Sequence, residues 1–113
     1  MHELSIIEEI LKITQNEARK HNAKRILEIR LMVGEMSGVI PDIMQEYFNI
    51  ASKGTLAEGA LLKIKKVPIK IKCQNCCKES IIKRNKVKCP LCGSYDIKII
   101  SGREFYIDSL EVE

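Results

Sequence analysis

The sequence predicts an α+β fold: two helices packed on a small three-stranded sheet, carrying an inserted cysteine module. Three observations predict it. Apolar residues recur at helical spacing in two segments. They recur at spacing two in three others. All five cysteines fall within one basic stretch.

Each element follows in order. Leu4, Ile7, Leu11, Thr14 and Ala18 keep a three-to-four-residue spacing, with Ile6, Ile10 and Ile13 on an adjoining stripe, which predicts a helix over about residues 6–20. Ser5 with Glu8 reads as a capping box at its start, and Asn22 as a left-handed stop. From Lys24 the period changes to two. Leu27, Ile29, Leu31 and Val33 face one way, Glu28 and Arg30 the other, and the strand ends at Gly34. Pro41 suits the first turn of a second helix, with Ile40, Ile43, Met44, Tyr47 and Ile50 as its apolar face and Gly54 at its end. Leu62 and Ile64 alternate, then Val67, Ile69 and Ile71 on the opposite parity, so a bulge is expected at Lys65-Lys66. Pro68 points to an edge or irregular strand. Phe105, Ile107, Leu110 and Val112 form a closing strand with a parity slip near Asp108-Ser109. If that strand pairs with an earlier one, the main domain is discontinuous: residues 1–70 and 101–113, with 71–100 as the insert.

Composition narrows the function classes. The chain has 113 residues, enough for one domain or a small domain with an insert. Its hydrophobic fraction of 45% supports a packed core, which must be aliphatic because there is no Trp and only 2 Phe and 3 Tyr. No apolar run reaches the ~18–20 residues of a membrane span. MHELSIIEEI turns acidic at once and lacks the basic start of a signal peptide. A cytoplasmic location is therefore expected, where thiols stay reduced and five cysteines suggest metal binding or catalysis rather than disulfides. Charge is uneven. Residues 1–62 carry a net −2, residues 63–103 a net +10 and residues 104–113 a net −4.

Cys73-Gln-Asn-Cys76 and Cys89-Pro-Leu-Cys92 form two C-x2-C pairs with 12 residues between them. Thiolates two residues apart can both turn inward from one tight knuckle. Two knuckles offer Zn²⁺ four soft ligands in a closed tetrahedron, a structural zinc site. Gly93 gives the second knuckle backbone freedom, and nearby lysines offset the charge of four thiolates. Cys77 is left over: a spare thiol beside the knuckle, or a replacement for Cys76 in a C-x3-C arrangement.

His2 and Glu3 follow Met1 directly. A large second residue leaves Met1 in place. The Met1 amine, the amide between them and the His2 imidazole can then close fused chelate rings around one ion. Planar nitrogen-rich coordination suits Ni²⁺ or Cu²⁺ over Zn²⁺, and Glu3 could add an oxygen or orient a ligand. By itself, a His at position 2 usually has no such role.

MHELSI at the start, the C-x2-C…C-P-x-C-G insert and the closing strand with its acidic tail resemble the HypA family, nickel-insertion accessory proteins of NiFe hydrogenase maturation. Gly34-Glu35 and the run Gly54-Thr55-Leu56-Ala57-Glu58-Gly59-Ala60 fit the same pattern. The resemblance spans essentially the whole chain. It implies a nickel metallochaperone and not an enzyme, with His2 as nickel ligand, Glu3 assisting, and Cys73, Cys76, Cys89 and Cys92 as zinc ligands. It implies two partners, a HypB-type nickel GTPase and the hydrogenase large-subunit precursor, and leaves room for a homodimer. Some family members carry histidines beside the zinc cysteines. This chain has Lys78, Glu79 and Gly93 there, so no histidine-based pH switch is expected in the module. His21, at the far end of the first helix, reads as a solvated residue favoured by the helix dipole.

Two rival classes remain. One is a nucleic-acid-binding zinc ribbon using Lys63, Lys65, Lys66, Lys70, Lys72, Lys83, Arg84, Lys86 and Lys88. Tyr95 is the lone aromatic in that stretch before Phe105, so bases would find few platforms, and the run reads first as a solvated face. The other is a dithiol oxidoreductase. That class needs one C-x-x-C at a helix start after a strand, which two paired knuckles do not supply.

Overall fold

The computed structural model describes residues 3–113; Met1 and His2 lie outside the described residues. Helix α1 (Glu3–Lys20) is followed by β1 (Ile26–Gly34), a 3-10 turn (Glu35–Ser37) and α2 (Pro41–Ala51). Strands β2 (Leu61–Val67), β3 (Ile69–Cys73), β4 (Glu79–Ile82), β5 (Ile97–Ser101) and β6 (Phe105–Val112) complete the chain. They form two three-stranded sheets, ordered β2-β1-β6 and β4-β3-β5. The α+β class and the pairing of the last strand with an earlier one match the sequence reading; the partner is β1. The second sheet belongs to the cysteine insert.

The chain divides into two compact units. One comprises Met1–Leu31, Val39–Ile64 and Ile107–Glu113, the other Met32–Gly38 and Lys65–Tyr106. The second unit takes in more chain than residues 71–100.

Helix α1 buries Ile7, Ile10, Leu11, Thr14 and Ala18. The Thr14 hydroxyl survives burial because it donates to the Ile10 carbonyl at 2.8 Å. Ser5 is not a cap. The helix already runs through it from Glu3, and a residue inside a helix cannot take the extended backbone a cap requires. The other end is as expected. Asn22 has φ 54, and the Ala23 and Asn22 amides donate to the Ala18 and Arg19 carbonyls at 3.0 and 3.1 Å. This pair of bonds is the Schellman closure. His21 is exposed on the same turn, its Nε2 3.3 Å from Glu17 Oε1.

Helix α2 corrects the apolar face assigned to it. Met44 and Phe48 are its buried residues, whereas Ile40, Ile43, Tyr47 and Ile50 are exposed. The expected stripe includes one edge of the true face and omits Phe48, which lies one turn after Met44. Phe48 and Met44 are fully buried, which contributes about 2–3 kcal/mol each. The helix stops at Ala51, ahead of Gly54, which sits at φ 78 in the following turn. In β1, Ile29, Leu31 and Val33 are buried as expected, but Ile26 is buried in place of Leu27.

The largest departure concerns residues 61–73. They are not one strand. Val67 ends β2 and Ile69 begins β3, and the two belong to different sheets. Pro68 sits at the break, where its missing N–H costs no ladder bond. Within β3 a register slip lies between Lys70 and Ile71 against β5. Ile69, Ile71 and Ile82, with Met36, Ile97 and Ile99 against them, form the core of the second unit.

Candidate metal centre

The four-cysteine cluster is built from one device used twice. Cys73 closes β3, and the Cys77 amide donates back to its carbonyl at 3.0 Å. Sixteen residues on, the Gly93 amide donates to the Cys89 carbonyl at 2.9 Å. In the return direction the Cys73 amide donates to the Lys78 carbonyl at 3.0 Å, and the Cys89 amide to the Ser94 carbonyl at 2.9 Å. Cys77 and Gly93 both hold left-handed backbone, φ 62 and 78. Each knuckle therefore reverses the chain within five residues and turns both its thiols inward. Between them, the Gln74 amide donates to the Asp96 carbonyl at 2.9 Å.

The sulfurs of Cys73, Cys76, Cys89 and Cys92 all lie within 4.8 Å of one another. Cys73 Sγ is 3.5 Å from Cys92 Sγ, and Cys76 Sγ is 3.7 Å from Cys89 Sγ. Four sulfurs about 2.3 Å from one tetrahedral ion stand roughly 3.8 Å apart, and these two separations are close to that spacing. Cys73 and Cys89 are fully buried, whereas Cys92 is exposed. Four thiols are the ligand number and type that closed, structural zinc sites use.

The electrostatics of the metal-free thiols differ across the site. The Ser94 amide, the Asn75 side chain and the Cys73 thiol together lower the Cys92 thiol to about 6. Asn75 Nδ2 approaches that sulfur to 3.7 Å. The Cys92 amide is the main cause of the lowered Cys89 thiol. The Lys78 amide favours the Cys76 thiolate, but desolvation and hydrogen bonds with the neighbouring thiols prevail and push it up to about 11. Asn75 was not singled out from the sequence; its position inside the first knuckle is the signal that could have found it.

Cys77 is exposed and outside the cluster, at the place Gly93 holds in the other knuckle. A side chain in left-handed backbone costs roughly 1–2 kcal/mol, partly offset by the greater freedom of glycine in the unfolded chain. Cys77→Gly should raise the stability of the zinc-loaded protein by about 0.5–1 kcal/mol and leave zinc content unchanged. Thermal unfolding with metal analysis checks both; a lower melting temperature would sink the assignment.

Of the other predicted site residues, Met1 and His2 lie outside the described residues. Glu3 is the first residue of α1, where a carboxylate is favoured by the helix dipole.

The comparisons with known proteins bear on the whole chain. Residues 1–112 match the family model described as "Hydrogenase/urease nickel incorporation, metallochaperone, hypA". This chain belongs to the HypA family. The hydrogenase maturation factor HypA of Moorella thermoacetica is 39% identical over 113 residues, 100% of both chains. That of Aquifex aeolicus is 40% identical over 100% of this chain and 98% of its own. That of Alkalilimnicola ehrlichii is 41% identical over 100% of both. The fold is also that of the Ni metallochaperone HypA from Helicobacter pylori, whose solution structure matches with TM-score 0.67 at 24% identity, covering 99% of this chain and 97% of that one.

Proposed function

We propose that this HypA-family chain is a nickel metallochaperone, not an enzyme. It binds Ni²⁺ at its N-terminus and delivers it for assembly of the NiFe hydrogenase active site. The observation that carries this reading is the coupling of MHE at the very start to a four-cysteine cluster with tetrahedral spacing, in a chain of this family.

Nickel is the cargo. The Met1 amine, the intervening amide and the His2 imidazole supply nitrogens in fused chelate rings, and Glu3 stands next in the chain to assist. Chelation at a chain end releases its ion by peeling, one donor at a time, which suits transfer more than storage. Zinc is the resident ion. Cys73, Cys76, Cys89 and Cys92 hold it, and it fixes the shape of the insert. The nickel-binding domain is assigned to residues 1–70 with 101–113 and the zinc-binding domain to 71–100. Supply and delivery call for a HypB-type GTPase and the hydrogenase large-subunit precursor as partners, in the cytoplasm. Among the described residues no helix is long and apolar enough to cross a membrane.

His2→Ala should reduce Ni²⁺ affinity at least tenfold, as expected for loss of a ligand, and leave zinc content unchanged. One extra residue placed before Met1 should do the same, because it moves the amine out of chelate geometry. Calorimetric titration with Ni²⁺ and metal analysis read both. Wild-type nickel affinity in His2→Ala would refute the assignment.

A further inference from the structure

The sheet of the second unit has two unlike faces. One packs into the unit's apolar core. On the other, Lys70 and Lys72 of the central strand β3 are exposed, flanked by Glu79 and Ile81 of β4 and by Lys98 and Ile100 of β5. Charge on this face is unbalanced. Glu79 is 3.1 Å from Lys70 Nζ and satisfies that lysine. Lys72 and Lys98 stand directly opposite each other in register. Among the described residues no ion pair involves either of them. Like charges facing across a ladder are destabilising, and an anion seated on the pair relieves that cost. The register slip between Lys70 and Ile71 leaves Ile100 as the extra residue of β5, and it is exposed at 48%. Ile81, the register partner of Lys70 on β4, is exposed at 65%. The face thus combines two unpaired ammonium groups with two large aliphatic side chains on either side of a third lysine.

We propose that this face docks an acidic, partly apolar segment of a partner protein, its carboxylates on Lys72 and Lys98 and its aliphatic side chains on Ile81 and Ile100. The Lys70–Glu79 pair shows the contact these lysines make with a carboxylate. A nucleic acid fits less well. Phosphates would engage the lysines but gain nothing from the isoleucines, and the face carries no aromatic ring for a base to stack on. Of the exposed aromatics of this unit, Tyr95 precedes β5 and Tyr106 lies on β6, so neither belongs to the strands of this face. The inference stands apart from the nickel reading, since it uses no residue of the N-terminus.

The test uses the full-length, zinc-loaded protein and three labelled probes: a short peptide alternating Glu and Val, its Gln–Val counterpart, and a single-stranded RNA of mixed sequence. Fluorescence anisotropy should show the Glu–Val peptide binding most tightly and weakening with salt. Lys72→Glu with Lys98→Glu should weaken it about tenfold or more. Ile81→Ala with Ile100→Ala should weaken it roughly fivefold, and leave any RNA binding unchanged. The milder pair Lys72→Gln with Lys98→Gln serves if charge reversal disturbs folding, with zinc content as the control. Equal affinity for the Gln–Val peptide, undiminished binding by both lysine double variants, or tighter binding of RNA than of the Glu–Val peptide would each overturn the proposal.

Discussion

Stripping zinc at neutral pH is expected to melt the second unit and leave the helical unit folded. The core of the second unit is a small group of isoleucines around β3, each worth about 2 kcal/mol of burial. The entropy of ordering its loops exceeds that by far. A structural zinc ion contributes on the order of 10–16 kcal/mol of binding, which becomes folding energy when no site exists in the unfolded chain. Hydrogen exchange should show protection at Ile71 and Ile99 collapsing after chelation, while Ile10 and Phe48 stay protected. Unchanged protection in protein shown to be metal-free would contradict this. The pH dependence has a definite sign. In the metal-free site Cys92 is largely thiolate at neutral pH, because its thiol is lowered to about 6, while Cys76 keeps its proton, being raised to about 11. Zinc must displace the Cys76 proton throughout, so affinity falls as pH falls. Below about 6 the Cys92 proton also competes, and the fall steepens.

Gly34→Ala is expected to cost about 3 kcal/mol or more and to lower the melting temperature by roughly 15 °C. A Cβ on Gly34 would stand 2.0 Å from the Gly102 carbonyl oxygen and 2.6 Å from the Arg103 nitrogen. Both obstacles are backbone, and neither can turn aside as a side chain would. The crossing is also bonded: the Gly34 amide donates to the Glu104 carbonyl at 2.6 Å and the Met36 amide to the Gly102 carbonyl at 2.9 Å. Opening it to admit a methyl group strains or breaks those bonds. Gly102 has φ 113, and a Cβ there would meet the Ile69 Cα at 2.8 Å. Gly54→Ala is the control. It is left-handed at φ 78 with nothing within 4 Å, so it should cost only about 1–2 kcal/mol. Equal melting temperatures for the two variants would show that backbone approach does not set the cost at Gly34.

Much of the candidate site was legible because its signals are local. C-x2-C states both ligand type and reach, since a knuckle closes through bonds spanning only five residues. The same holds for Asn22, whose left-handed stop depends on the last turn of α1 alone. Legibility failed where a residue's environment is set by chain distant in sequence. The apolar residues of α2 cover more of the helix surface than the core uses, and period alone could not select Met44 and Phe48 over Ile43 and Tyr47. Cys77 appeared as a surplus thiol. The paired knuckles show it to be the positional counterpart of Gly93, a likeness hidden because the two residue types share no chemistry.

The division at Pro68 shows where that boundary lies. A change of parity at Lys65-Lys66 was visible along residues 61–73, and so was a proline that donates no ladder bond. One bent strand and two strands in separate sheets leave the same alternating pattern, because period two reports which face is buried and not which neighbour buries it. By itself the sequence determined the two helices, the first and last strands, the four-cysteine grouping, the MHE start and the family. Only the tertiary structure decided that residues 61–73 serve two sheets, that Gly34 lies against the Gly102 backbone, and that Lys72 faces Lys98. Each of these is a pairing between residues far apart in the chain, and pairing is settled by packing energy that no local spacing encodes.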